Sequence, residues 1–187
     1  MERFQEKSSF VFSLIDKYYD AFPKAKTILL QHSFLVAKKA LSMSLNNKKI
    51  CVDEQFVFEA AMLHDIGIFL TKAPDLGCNG EFSYICHGFL GADLLRQEGL
   101  ERHALVCERH TGVGLSIEDI KRQQLPVPQR DMRPISIEEQ LICFADKFFS
   151  KTNPTKEKSF EEVKLSLARF GEYTQVRLND WNVLFNS

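Results

Sequence analysis

His64 and Asp65 stand side by side in Leu63-His64-Asp65-Ile66-Gly67, at the end of an apolar run. Together they offer a neutral imidazole nitrogen and a hard carboxylate oxygen from one short piece of backbone. Both are good ligands for a divalent first-row metal. A carboxylate in such apolar company is costly to bury alone, so it calls for a partner. Taken alone, the dipeptide fits a buried pair that satisfies itself more often than it fits a metal site. The rest of the chain adds His32, His87, His110 and Asp146, each on its own expected helix and near Gly, Thr or Ser rather than in a charge run. Helices converging on one core can bring single ligands of this kind to one point.

The elements that would position these groups follow from periodicity. Phe56, Ala60 and Leu63 recur at helical spacing, which puts the His-Asp pair at the end of a buried helix capped by Asp53. Gly67 lets the chain turn away close to whatever is bound. Upstream, the spacing predicts one helix over about 4–21 and, after Pro23, another over about 24–45 with Leu30, Phe34, Ala37 and Leu41 as its core face; His32 lies off that stripe. Residues 71–82, with Pro74, Gly77, Asn79 and Gly80, read as a loop placed to form a rim. Ser83 is positioned to cap a helix carrying His87, with Ile85, Phe89, Ala92 and Leu95 inward. A further helix runs over about 101–110. Residues 121–134, with three prolines and Lys121, Arg122, Arg130 and Arg133, fit a solvated connection on composition alone; the sharper alternative folds Arg130 or Arg133 over an anionic ligand. Ser136-Ile137-Glu138-Glu139 reads as a capping box opening the helix of Asp146. Phe160, Val163, Leu167 and Phe170 stripe the next helix, closed by Gly171. Tyr173, Val176 and Leu184 stripe the last, with Trp181 nearby. No period-2 strand and no internal repeat emerge, so the expected fold is all-α.

The totals set bounds on function. A chain of 187 residues suits one domain with a sizeable core. A formal net charge of −1 gives no global reason to expect nucleic-acid or membrane-surface binding. No apolar run approaches the roughly 20 residues that span a bilayer. The charged start, Met1-Glu2-Arg3-Phe4, lacks a signal peptide's apolar core, so the expected address is cytoplasmic. Five scattered cysteines argue against a disulfide framework. Cys107-x-x-His110 lacks a well-spaced second pair for a structural zinc site, since only Cys78 with Cys86 is on offer. The cysteines read instead as small buried residues.

With these residues in order, the chain resembles the HD-domain superfamily of metal-dependent phosphohydrolases, in its HDIG-type branch. The resemblance rests on His32-Ser33-x-x-Val36-Ala37, His64-Asp65-Ile66-Gly67 and Ala145-Asp146-Lys147, and covers residues 25–150, with the terminal helices packed on that core in a single-domain bundle. It implies His32, His64, Asp65 and Asp146 as ligands of one metal, and His87 and His110, the latter in His110-Thr111-Gly112, as ligands of a second, with Asp65 bridging. His64 and Asp65 would then be the catalytic pair. The ion would be Fe or Mn by preference, with Zn, Co, Ni or Mg possible. The implied activity is hydrolysis of a nucleotide-like phosphoester or phosphoanhydride. Two alternatives stay open: a diiron oxygenase on the same ligand set, and a non-catalytic nucleotide sensor. Where many relatives have a basic residue after the HDIG glycine, this chain has Ile68. Lys72 and Lys147 are the expected replacements, with His103, Arg130 and Arg133 as further substrate contacts. The partner expected is a small phosphate compound; neither membrane nor nucleic acid is expected, and the oligomeric state is left open.

Overall fold

The computed structural model describes residues 1–47, 49–153 and 156–186. Within them the architecture is all-α, as expected. The helices are α1 (Glu2–Lys7), α2 (Ser9–Tyr19), α3 (Pro23–Asn46), α4 (Glu54–Leu63), α5 (His87–Gln97), α6 (Glu101–Arg109), α7 (Ile117–Arg122), α8 (Ile137–Asp146), α9 (Phe160–Leu167) and α10 (Glu172–Asn186). Short 3₁₀ turns cover Ile66–Leu70, Pro74–Leu76, Tyr84–Cys86 and Ala168–Phe170. The rim loop holds the one sheet among the described residues, an antiparallel pair of β1 (Lys72–Ala73) and β2 (Cys78–Asn79). Two residues per strand are too few for alternation to register in the sequence.

The core lies where α3, α4 and α8 pack together, with α6 against α4 and α8, and α5 against both α6 and the Ile66–Leu70 turn. The α3 face that enters it carries Ala25, Leu29, His32, Ser33, Val36, Ala37, Ala40 and Leu41. His32 therefore sits within the buried stripe rather than off it, and Leu30 and Phe34 are only half-buried at its margin. α4 is buried almost all round, which suits a central helix.

Other departures from the sequence reading have local causes. The first helix breaks at Ser8, whose hydroxyl turns inward to donate to Glu59 Oε1 at 3.0 Å and to accept from Gln55 Nε2 at 2.6 Å. Ser83 makes no side-chain cap; a 3₁₀ turn intervenes, and His87 is the first residue of α5. Ser116 and Asp119 close a full capping box over α7, whose last two residues, Lys121 and Arg122, fall in the stretch expected as a connection. At Ser136 only half the expected box forms, because the Glu139 carboxylate accepts instead from Arg109 (2.8 Å) and from the Ile135 amide (2.8 Å). In α10 the buried face is Thr174, Leu178, Trp181 and Phe185, leaving Tyr173, Val176 and Leu184 exposed. Trp181 and Phe185 both pack on Phe144, and the Trp181 indole donates to Gln140 Oε1 at 2.9 Å, which sets the rotation of this helix.

Two glycines let the Ile66–Leu70 turn lie directly on α5. A Cβ on Gly67 would stand 2.3 Å from the His87 carbonyl oxygen and 2.5 Å from the Gly91 nitrogen. One on Gly91 would meet Cys107 Sγ at 2.6 Å. The first clash is with backbone, which cannot step aside as a flexible side chain can. Gly67→Ala should therefore destabilise the fold by about 3 kcal/mol in denaturant unfolding, at the upper end of overpacking costs. Stability equal to that of the parent protein would contradict this packing.

Candidate metal centre

Three helix ends deliver three histidines in the same way. His64 follows α4 as its C-cap and its Nδ1 donates to the Ala61 carbonyl at 2.6 Å. His110 follows α6 and donates to Cys107 O at 2.7 Å, while His87, opening α5, donates to Tyr84 O at 2.6 Å. A carbonyl only accepts, so each Nδ1 carries the proton and, in the neutral ring, each Nε2 presents a lone pair. All three Nε2 atoms point toward the Asp65 carboxylate, at 3.1 Å for His64, 3.3 Å for His87 and 3.4 Å for His110. From α3, His32 Nε2 lies 2.8 Å from Asp146 Oδ1 and 3.4 Å from Asp65 Oδ2.

Two clusters result, His32 with His64, Asp65 and Asp146, and Asp65 with His87 and His110; every member is buried. No cysteine joins either one among the described residues. The expected ligand residues are thus brought together in the grouping the resemblance implies. Three features fit a cation. Two ligand atoms each about 2.1 Å from one ion lie roughly 3.0 Å apart in octahedral and about 3.4 Å apart in tetrahedral coordination, the range spanned by these contacts. The His87 and His110 Nε2 atoms face each other at 2.9 Å; with both Nδ1 atoms protonated, the neutral rings turn two lone pairs toward one point, an arrangement that a shared cation makes favourable. Asp65, wholly buried, receives no well-aligned hydrogen bond on either oxygen, although the Lys151 ammonium lies 2.7 Å from Oδ2, and His64 Nε2 likewise lacks one. Buried polar atoms are rarely left so. The His/Asp clusters are compatible with divalent metal binding.

Charge balance agrees. Burial alone would push the Asp65 carboxyl up, but His64 and Lys151 beside it hold it well below its usual range. Burial likewise opposes ionisation of Asp146, and Lys147 and Lys151 overcome it. Burial pushes His64 down, yet the Asp65 and Asp146 carboxylates lift it to about 9. His110 goes the other way, down to about 3, chiefly through burial. The site is a pair of buried carboxylates that demands positive charge.

The remaining expected residues are placed variously. Lys147 Nζ contacts Asp146 Oδ2 at 2.7 Å and donates to the His110 carbonyl at 3.0 Å, so it sits at the centre. Lys72 lines a cleft of about 420 Å³ together with Tyr84, Ser150, Lys151 and Thr152. Arg133 pairs with Asp131 and lines a different cavity of about 700 Å³, along with Arg122, Arg169 and Tyr173. Arg130 is engaged by the buried Glu108, which also binds Arg96, and it lines neither space. His103 faces Glu59 at 3.3 Å and packs on Phe56 and Phe10, none of them part of the clusters.

Two residues escaped the sequence reading. Lys151 Nζ lies 2.7 Å from Asp65 Oδ2, and the Tyr84 ring stacks on His87 with centroids 4.7 Å apart. A basic residue four positions after Lys147 was the available signal for the first; nothing in the sequence marks the second.

Residues 29–150 match the HD domain family. An uncharacterized protein of Methanocaldococcus jannaschii is 33% identical over 136 residues, which cover 67% of this chain and 73% of that protein. Two proteins named tRNA (cytidine(56)-2'-O)-methyltransferase, from Picrophilus torridus and Thermoplasma volcanium, are 32% and 31% identical over 127 residues, covering 67% of this chain but only 33% of each enzyme. No solved structure matches the chain with statistical significance. No helix among the described residues is long and apolar enough to cross a membrane. From the match across most of its length, and from the ligand pattern that the match contains, the chain belongs to the HD domain family.

Proposed function

We propose that this chain is a metal-dependent phosphohydrolase acting on a nucleotide-like phosphoester or phosphoanhydride, with the whole of residues 1–187 working as one HD-type unit. The observation that carries this reading is the sharing of one buried carboxylate, Asp65, by two ligand clusters. His32, His64, Asp65 and Asp146 would hold one divalent ion, and Asp65, His87 and His110 a second. Bound there, two such ions supply Lewis acidity at phosphorus and a water made acidic enough to act as nucleophile near neutral pH. Mixed nitrogen and oxygen ligation favours Fe or Mn.

The chain's own share is binding and orientation. The three Nδ1–H···O=C bonds fix ring tautomers and hold each Nε2 on target, the outer-shell support that metal-ligating histidines ordinarily need. Lys147, doubly anchored, sets the Asp146 carboxylate. Lys72 and Lys151 give the 420 Å³ cleft the positive lining that a phosphate group requires, which answers the missing basic residue at Ile68. Tyr84 keeps its proton, since burial pushes the hydroxyl up to about 12 against the opposing pull of Lys151. It therefore enters the cleft as a donor for a phosphoryl oxygen. The similarity to part of two methyltransferases named for a tRNA nucleotide supports a ribonucleotide-type substrate among phosphate compounds.

Asp65→Asn should remove metal from both clusters and reduce turnover at least 10³-fold, on the order of what losing an essential charged group costs. His87→Ala should leave one ion per chain; metal analysis of the purified variants distinguishes the two, and equal metal loss in both would contradict the shared-carboxylate arrangement. A screen across nucleotides, dinucleoside polyphosphates and cyclic dinucleotides should yield a hydrolysed substrate whose turnover stops on chelation. Turnover that survives complete metal removal would defeat the proposal. On that substrate, Lys72→Ala should raise KM about 10-fold with kcat little changed, as expected for lost ground-state binding.

A further inference from the structure

The Lys151 ammonium and the first ion of the proposed centre need the same atom. Asp65 Oδ2 faces His64 Nε2 at 3.1 Å and His32 Nε2 at 3.4 Å, and Lys151 Nζ approaches that oxygen at 2.7 Å. The two lysines at the centre are held differently. Lys147 is fixed twice, to Asp146 and to a backbone carbonyl, and does not line the cleft. Lys151 lies outside any helix, in the stretch that follows α8, and its side chain borders the cleft beside Lys72, Ser150 and Thr152. An ammonium and a divalent ion cannot both sit against one carboxylate oxygen without strong repulsion. Lys151 is also on a single flexible stem with open space next to it.

We propose that Lys151 is an exchangeable counter-ion: it compensates Asp65 until a divalent ion takes Oδ2, and then turns into the cleft to bind the anionic group of the substrate. The inference rests on the metal-centre reading above and adds a coupling to it. Metal uptake frees the cation that binds phosphate, so metal and phosphate favour one another. By linkage the effect is reciprocal. A lysine that stayed on Asp65 whatever else was bound would also repel the ion, so the phosphate arm tells the two apart: removing such a fixed lysine would leave the phosphate affinity of the metal-loaded protein unchanged and so overturn the exchange.

The test uses Mn²⁺ alone and then inorganic phosphate on the Mn²⁺-loaded protein, both by calorimetry. The proteins compared are the parent and Lys151→Met, Lys151→Gln and Lys151→Arg. Both neutral variants should bind Mn²⁺ about five- to tenfold more tightly than the parent, because the competing charge is gone, and bind phosphate about tenfold more weakly. Lys151→Arg should stay close to the parent in both. Two neutral replacements guard against one that fails to fold. Mn²⁺ affinity unchanged or lowered in the folded neutral variants would overturn the exchange while leaving the metal centre intact. Absence of Mn²⁺ binding in the parent would overturn both.

Discussion

The structure depends on compensating the charge of Asp65. Its carboxylate is wholly buried, at the point where α4 ends and the chain must turn. Even after relaxation, an ion taken out of water costs several kcal/mol unless charged or hydrogen-bonding partners repay it. The partners gathered here come from far apart in sequence: His32 from α3, His64 from α4, His87 from α5, His110 from α6 and Lys151 beyond α8. Four helices and a loop are tied by one demand for positive charge. A centre of this kind settles which helix faces turn inward as well as what they bind.

Holding that carboxylate still requires backbone geometry that side chains alone do not provide. The Tyr19 hydroxyl, fully buried on α2, donates to the Ile66 carbonyl at 3.0 Å and receives the Phe69 amide at 3.4 Å, pinning the turn directly after the His-Asp pair. Gly67 and Gly91 then allow this turn to touch α5 at backbone distance. The second cluster is thereby placed against the first, because His87 opens the helix that Gly67 contacts. The N-terminal helix α2, outside the matched region, supports the centre through this buried hydroxyl and through the Tyr18 and Tyr19 rings that pack on Phe69 of the same turn.

How much of this was legible in the sequence depended on the scale of the interaction. The His64-Asp65 pair stood out because a carboxylate in apolar company is costly to bury without a partner, and His32, His87, His110 and Asp146 became legible as its companions through the ordered spacing that carries the resemblance. The helices were readable for a similar reason: apolar spacing at 3.6 residues persists over many positions. Their rotation was harder to read. α3 and α10 carry apolar residues on more than one side, and only the packing of His32 beside Asp146, or of Trp181 on Phe144, decides which side turns inward. Lys151, despite its spacing from Lys147, and Tyr84 were passed over because a lysine in a loop and a tyrosine in a turn are ordinary surface choices until the tertiary fold brings them to the centre. The break at Ser8 was hidden likewise, since its cause is a hydrogen bond to a helix 51 residues away.

The central claim, that Asp65 is shared by two ions, is tested most directly by anomalous diffraction from crystals of the Mn²⁺-loaded protein. The account predicts two peaks about 3.5–4 Å apart on either side of the Asp65 carboxylate, one met by His32, His64 and Asp146 and the other by His87 and His110, each histidine through Nε2 and Asp146 through a carboxylate oxygen. A centre with no anomalous density, or ions bound elsewhere with Asp65 uncoordinated, would contradict it.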